Sequence, residues 1–228
     1  MADMGGQAAL MLLADGRLPA GGYAHSGGLE PAVASGRVAD VAGLEHFLIG
    51  RAETAGFIAA VFAAVSCAAA LRDALADLAL LEAELDARIP SAELRKISRD
   101  LGRQLRRAMD SIHPHPHFAA LGRAPHQPVV MGVAAAALGL GPRGAALAIL
   151  HETTAGAAAA AAAAKIMRVD PFHVHAALAR ATGRLDRLAI AAAGHVDTPP
   201  ADLPAPGAPL ADIAAEHHRN SNVRLFAS

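Results

Sequence analysis

The chain reads as all-α: a single-domain multi-helix bundle with an extended proline-rich connector and a C-terminal tail. Three observations predict this. Apolar residues recur at helical spacing along most of the 228 residues. Capping residues and glycines stand where those stretches begin and end. No stretch alternates strand, turn and helix as an α/β protein does. Hydrophobic residues make up 54% of the chain, enough for one sizeable core. Aromatics are only 3%, so that core must be built mainly from Leu, Val, Ile and Ala. The bundle is expected over residues 1–196, and the connector, a short helix and the tail over 197–228.

The elements follow in order. Gln7 to Ala14 forms a first helix, ended by Asp15-Gly16. A glycine-rich loop comes next. Ser26 caps a short helix through Val33, and Ser35-Gly36 ends it. Asp40 caps a long helix toward Ala70, with Leu44, Phe47, Leu48, Ala55 and Ile58 at helical spacing. Asp73 to Asp86 puts Leu75, Leu78, Leu81 and Leu85 on one stripe. Ser91 caps the next helix, and Glu93 suits its dipole. That helix turns Leu94, Ile97, Leu101, Leu105 and Met109 inward. It turns Arg95, Arg99, Arg103, Arg106 and Arg107 toward solvent. Proline and histidine break the chain from Pro114 to Pro128. Helices follow from Val129 to Leu138, from Arg143 to Met167 and from Pro171 to Ala193. Five prolines make Asp197 to Pro209 an extended connector. A last helix spans Leu210 to about His218, and a tail runs from Asn220 to Ser228.

Composition excludes several function classes. A net charge of -1 selects neither nucleic acid nor an anionic membrane. The single cysteine, Cys67, excludes an internal disulfide and a cysteine-rich metal cage, and points to a reducing cytoplasm. The N-terminus lacks a basic region before Ala8 to Ala14, so that stretch reads as a helix and not a signal peptide. Gly156 to Ala164 is nearly pure alanine and shorter than the roughly 20 apolar residues of a membrane span, so no span is expected. The only lysines, Lys96 and Lys165, follow no glycine-rich phosphate loop, which argues against nucleotide hydrolysis.

The run Leu18-Pro19-Ala20-Gly21-Gly22-Tyr23-Ala24-His25-Ser26-Gly27-Gly28-Leu29-Glu30 stands out. Its glycines and proline can shape a loop that presents Tyr23, His25, Ser26 and Glu30. Ala24-His25-Ser26-Gly27-Gly28 is similar to the elbow of a serine hydrolase, but no strand delivers the serine. A helix cap is the better reading of Ser26. His113, His115 and His117 alternate with prolines and are weak candidates for a metal site. His151-Glu152 lacks the second histidine of a zinc-protease motif. Lys165 follows an apolar helix, either complementing its dipole or facing an interface. In the tail, Val223, Leu225 and Phe226 flank Arg224, a composition suited to docking on the body or on a partner.

Taken together, these landmarks resemble the UreF family of urease accessory proteins. Leu18 to Glu30 is similar to its N-terminal signature, Ser91 to Gly102 to its mid-chain helix, and Arg224-Leu225-Phe226-Ala227-Ser228 to its ending. The chain departs at His217-His218-Arg219, where the family often has His-Glu. The resemblance implies an all-helical fold and a non-enzymatic role in delivering nickel to apo-urease. It implies partnership with UreD (also called UreH) and the GTPase UreG, usually as a homodimer. No tightly bound cofactor is implied, nickel being handled by the complex. It places Tyr23, with His25, Ser26 and Glu30 around it, and Arg224, with Leu225 and Phe226, among the partner-binding residues, and Lys165 at a basic position facing partners. A nickel-binding chaperone using His113, His115 and His117, and a small helical serine hydrolase, are the alternative readings.

Overall fold

The computed structural model describes residues 6–22, 25–163 and 167–219. Among these residues every regular element is helical. They are α1 (Gly6–Ala14), α2 (Leu29–Ala34), α3 (Val41–Arg51), α4 (Phe57–Leu71), α5 (Asp77–Ala87), α6 (Ala92–Ile112), α7 (Gln127–Ala137), α8 (Pro142–Ala163), α9 (Pro171–Ala193) and α10 (Pro209–Arg219). A π-helical turn, Ala52–Gly56, joins α3 to α4 without a break. The expected all-α architecture is what forms.

Local chemistry sets most boundaries. The Asp40 carboxylate accepts from the Gly43 amide at 2.7 Å and starts α3. The Ser91 hydroxyl accepts from the Leu94 amide at 3.2 Å and starts α6. Asp170 caps α9 through the Phe172 amide at 2.9 Å. One boundary differs from expectation. Helix α5 starts at Asp77, not Asp73. Asp73 holds φ 58°, a left-handed conformation, just past the end of α4. The Asp73 amide returns to the Ala70 carbonyl and the Ala74 amide to that of Ala69. This Schellman turn stops one helix and delays the next. Leu75 still packs against the core from the intervening turn. Met167, expected as the last residue of α8, is buried in a bend.

Helix α4 is the centre of the bundle. Twelve of its residues, from Ile58 to Ala70, are buried. It packs on α7, α8 and α9. Its approach to α7 is close because Gly132 has no side chain. A Cβ there would stand 2.4 Å from the Ala63 carbonyl oxygen and 2.7 Å from the Cys67 nitrogen. Cys67 is buried in this layer, its thiol donating to the Leu140 carbonyl at 3.4 Å. Burial pushes that thiol up to about 12, which leaves it unreactive. Val41–Leu71 and Pro142–Ala162 are long and apolar enough to cross a membrane. Both are mostly buried within the bundle, as core helices are. A second cluster joins Leu29, Val38, Leu44 and Leu48 to Ala157, Ala161 and Val174.

The arginine row of α6 corrects the expectation of a solvated face. Arg95 donates to the carbonyls of Ile89 and Pro90, at 2.7 and 2.9 Å. Arg99 donates to the Ala124 carbonyl and bridges Glu82 and Asp86 on α5. Arg106 holds the carbonyls of Leu121 and Gly122. Only Arg103 and Arg107 in that row are exposed. Leu94 and Ile97, expected in the core, are half-buried and face a cavity.

The same region holds a buried histidine. His126, with no exposed surface, lies just before α7. Its Nδ1 is 2.9 Å from the Ser98 hydroxyl and its Nε2 is 3.0 Å from Asp86 Oδ1. Its amide donates to Glu82 at 2.9 Å. This cluster ties α5, α6 and α7 together. The proline-rich connector lies against the body. Arg88 donates to the carbonyls of Pro200, Ala201 and Leu203, while its guanidinium sits 5.6 Å from the Phe62 ring centre.

Candidate functional site

The glycine loop curves over one end of the bundle and forms part of the rim of a cavity of about 680 Å³. Helices α2, α3, α6 and α10, the π-turn, Gln127 of α7 and Glu152 and Thr153 of α8 form the walls. Gly27 has φ 62°, and a Cβ there would meet the Arg51 guanidinium at 2.8 Å. Only glycine accepts both the backbone angle and the contact. Arg51 in turn donates from Nε to the Gly27 carbonyl at 2.9 Å. The loop is thus fastened to the end of α3.

Each expected loop residue has a distinct place. Ser26 is fully buried, and its hydroxyl accepts from the Glu30 amide at 3.3 Å. It caps the start of α2 from two residues upstream of the cap position, which Gly28 occupies. A hydroxyl sealed in this way is not presented to a substrate. His25 is half-buried and lines the cavity. Burial pushes its imidazole below the usual histidine range, Asp100 opposing and Lys96 adding to the effect. Glu30 lies half-buried in the first turn of α2, where its charge suits the helix dipole. Tyr23, Lys165, Arg224, Leu225 and Phe226 lie outside the described residues.

The histidine tract is engaged locally. The His113 ring contacts the Ala137 carbonyl at 3.1 Å. His115 Nδ1 accepts from the His117 amide, and the two rings meet edge to face at 4.4 Å between centres. His117 Nε2 lies 3.2 Å from Asp73. Among the described residues, no three His, Cys, Asp or Glu side chains are grouped to hold a metal.

Beneath the loop, Arg51 and Glu152 face the cavity from deep positions. Glu152 accepts from Gln127 Nε2 at 3.2 Å. Burial favours the neutral form of both, pulling Arg51 down and pushing Glu152 up, while each partly restores the charge of the other. Neither residue was expected at this site. The signal was a charge set within a mostly apolar helical stretch, since charged residues are rarely buried without a reason. Glu216 was also missed. This α10 residue accepts from the Ser91 hydroxyl at 2.7 Å and the Glu93 amide at 3.1 Å. It fixes α10 as one wall of the cavity, only one residue before the segment where the chain departs from the family pattern.

The described residues thus form an all-helical bundle with a shaped loop and a side cavity. The sequence profile of the UreF family matches residues 38–182. A urease accessory protein UreF from Mycobacterium sp. (strain JLS) is 41% identical over 219 residues, covering 96% of this chain and 97% of that protein. Its counterpart from Mycolicibacterium vanbaalenii is 38% identical over 225 residues, covering 99% and 100%. That from Mycobacterium tuberculosis (strain H37Rv) is 36% identical over 221 residues, covering 97% and 98%. The chain belongs to the UreF family of urease accessory proteins.

Proposed function

We propose that this chain is a non-enzymatic adaptor that assembles UreD and the GTPase UreG for nickel insertion into apo-urease. Kinship with UreF proteins along nearly the whole chain carries this reading. Two features of the site support it. Ser26 is spent on capping, so the loop is shaped for recognition and not for nucleophilic attack. The loop is also fastened to the bundle through Arg51, which donates to the Gly27 carbonyl.

In this reading Tyr23, His25 and Glu30 of the loop act with Arg224, Leu225 and Phe226 of the tail as a partner-facing surface. Arg224 pairs with a carboxylate on the GTPase, an interaction that is strong when partly desolvated. Lys165 faces a partner protein. The protein works in the cytoplasm as a homodimer and holds no resident cofactor, nickel being the cargo of the complex. The test is a pull-down with the UreD complex. Arg224→Ala and Tyr23→Ala are expected to lose UreG recruitment while keeping UreD. Normal recruitment by both variants would sink the proposal. Nickel calorimetry on the isolated chain separates it from a chaperone using His113, His115 and His117. Tight binding lost on their substitution would favour the chaperone.

A further inference from the structure

We propose that the cavity beside the glycine loop binds a small amphipathic anion of the medium-chain carboxylate class, its apolar body in the cavity and its charged end at Arg51. The volume, about 680 Å³, lies within the range of small-molecule pockets. Phe47, Leu94 and Ile97 give it apolar walls. Such a pocket takes orientation from a few polar groups at its edge.

Arg51 is the group that asks for a ligand. Its Nε donates to the Gly27 carbonyl, but its buried Nη1 has no hydrogen-bond partner. Among the described residues no carboxylate lies within ion-pair distance of it. Glu152 acts on it only at longer range and is bonded to Gln127. A buried guanidinium without an anion is costly, and an unsatisfied buried donor in a native fold calls for an explanation. A ligand carboxylate set against the part of Arg51 that lines the cavity supplies the missing charge. Arg37 and His46 also line the cavity, as do the carboxylates Glu93 and Glu152, burial pushing Glu152 toward its neutral form. Helix α10, held on α6 by Glu216, supplies part of the cavity lining. This inference does not depend on the adaptor role.

The full-length protein is titrated with the fluorescent anion 1-anilinonaphthalene-8-sulfonate, followed by displacement with decanoate or 1-decanol. One saturable site that decanoate empties is expected. Arg51→Met should weaken decanoate by about tenfold, as loss of a charge-assisted contact does. It should leave 1-decanol unchanged. Gly50→Leu supplies a second variant, since Gly50 lines the cavity and an added Cβ meets nothing within 4 Å. It should abolish dye binding without lowering Tm, and it decides the matter if Arg51→Met fails to fold. The proposal is overturned by any of three results: no saturable dye binding, equal decanoate affinity in a folded Arg51→Met variant, or unchanged dye binding in Gly50→Leu.

Discussion

The Glu216 carboxylate of α10 receives the Ser91 hydroxyl at 2.7 Å, at the very point where Ser91 caps α6. One serine therefore serves two helices. Its oxygen accepts from the Leu94 amide while its proton goes to Glu216. The acid also takes the Glu93 amide, one of the donors an α-helix leaves unpaired at its start. A negative charge there is favoured by the helix dipole.

Glu216→Ala should consequently loosen α10 more than the rest of the molecule. The expected loss is about 1–2 kcal/mol, the scale of a cap combined with a dipole contact. Hydrogen exchange is the discriminating measurement. Amides of Pro209–Arg219 should exchange about tenfold faster, as a local opening eased by roughly 1.4 kcal/mol requires, while those of α4 stay protected. Unchanged exchange in α10 would mean that its remaining contacts, among them Asp212 with the Ser91 amide and buried Ala215, suffice to hold it.

Gly132 and Gly50 form a matched pair. Helix propensity alone favours alanine at both, by up to about 1 kcal/mol. At Gly132 the new methyl would strike the backbone of α4 at Ala63 and Cys67. Backbone cannot swing away as a side chain can, so the two central helices must separate. Gly132→Ala is expected to cost about 2–4 kcal/mol and to lower Tm markedly. At Gly50 the methyl meets nothing within 4 Å, and Gly50→Ala should raise stability by about 0.5–1 kcal/mol. Thermal melts of both variants check the contrast. Equal shifts would refute the close α4–α7 contact.

Glu82, Asp86 and His126 make stability depend on pH in two opposing ways. Burial pushes Glu82 from 4.5 up to about 7, with the His126 amide and Arg99 opposing. The folded protein then binds a proton that the unfolded chain has released, so this stabilisation fades as pH rises from the first value to the second. Burial, then Arg99, pull His126 from 6.5 down to about 4, with Asp86 opposing. Here the unfolded chain binds the proton more readily, so stability grows as pH rises through that window. Glu82→Gln keeps an oxygen for the His126 amide and removes only the first effect. Relative to wild type, the variant should therefore gain with rising pH, by about 2 kcal/mol between roughly pH 5 and pH 7.5. Urea denaturation across that range measures it. A difference that stays flat with pH would show that Glu82 titrates normally.

What was legible in the sequence is what is decided within a few residues. Asp40 and Ser91 cap their helices through amides three positions away, and both helices start where the cap predicts, while α9 opens at Pro171 as expected. Gly36 and Gly139 close α2 and α7 with positive φ, as glycine after a helix does. Asp73 does the same for α4 without being glycine, and the start of α5 was misplaced for that reason. The α6 arginines were misread because a helical pattern shows only which side of a helix a residue takes. It does not show that Arg99 meets the Ala124 carbonyl from a later loop. In the site, the loop and the capping role of Ser26 were readable. Arg51 and Glu152 were not readable as a pair, since they and Gln127 come from three separate helices.

Arg88 offers the last test, because it joins α5 to carbonyls 112 to 115 positions further on. Its guanidinium donates to Pro200, Ala201 and Leu203 and pairs with Glu84 at 2.5 Å. Proline cannot donate hydrogen bonds, so the connector offers mostly acceptors. A five-donor side chain is the matching partner. Leu203, almost fully buried, anchors the same segment by apolar contact. Arg88→Ala leaves these carbonyls to water and should cost about 2–3 kcal/mol. Arg88→Lys should recover only part, since a compact ammonium cannot reach three carbonyls in one plane. Limited proteolysis reads the effect directly. Cleavage between His195 and Pro209 should appear in Arg88→Ala well before any cut in α4. Resistance equal to wild type would show that Leu203 suffices to hold the connector in place.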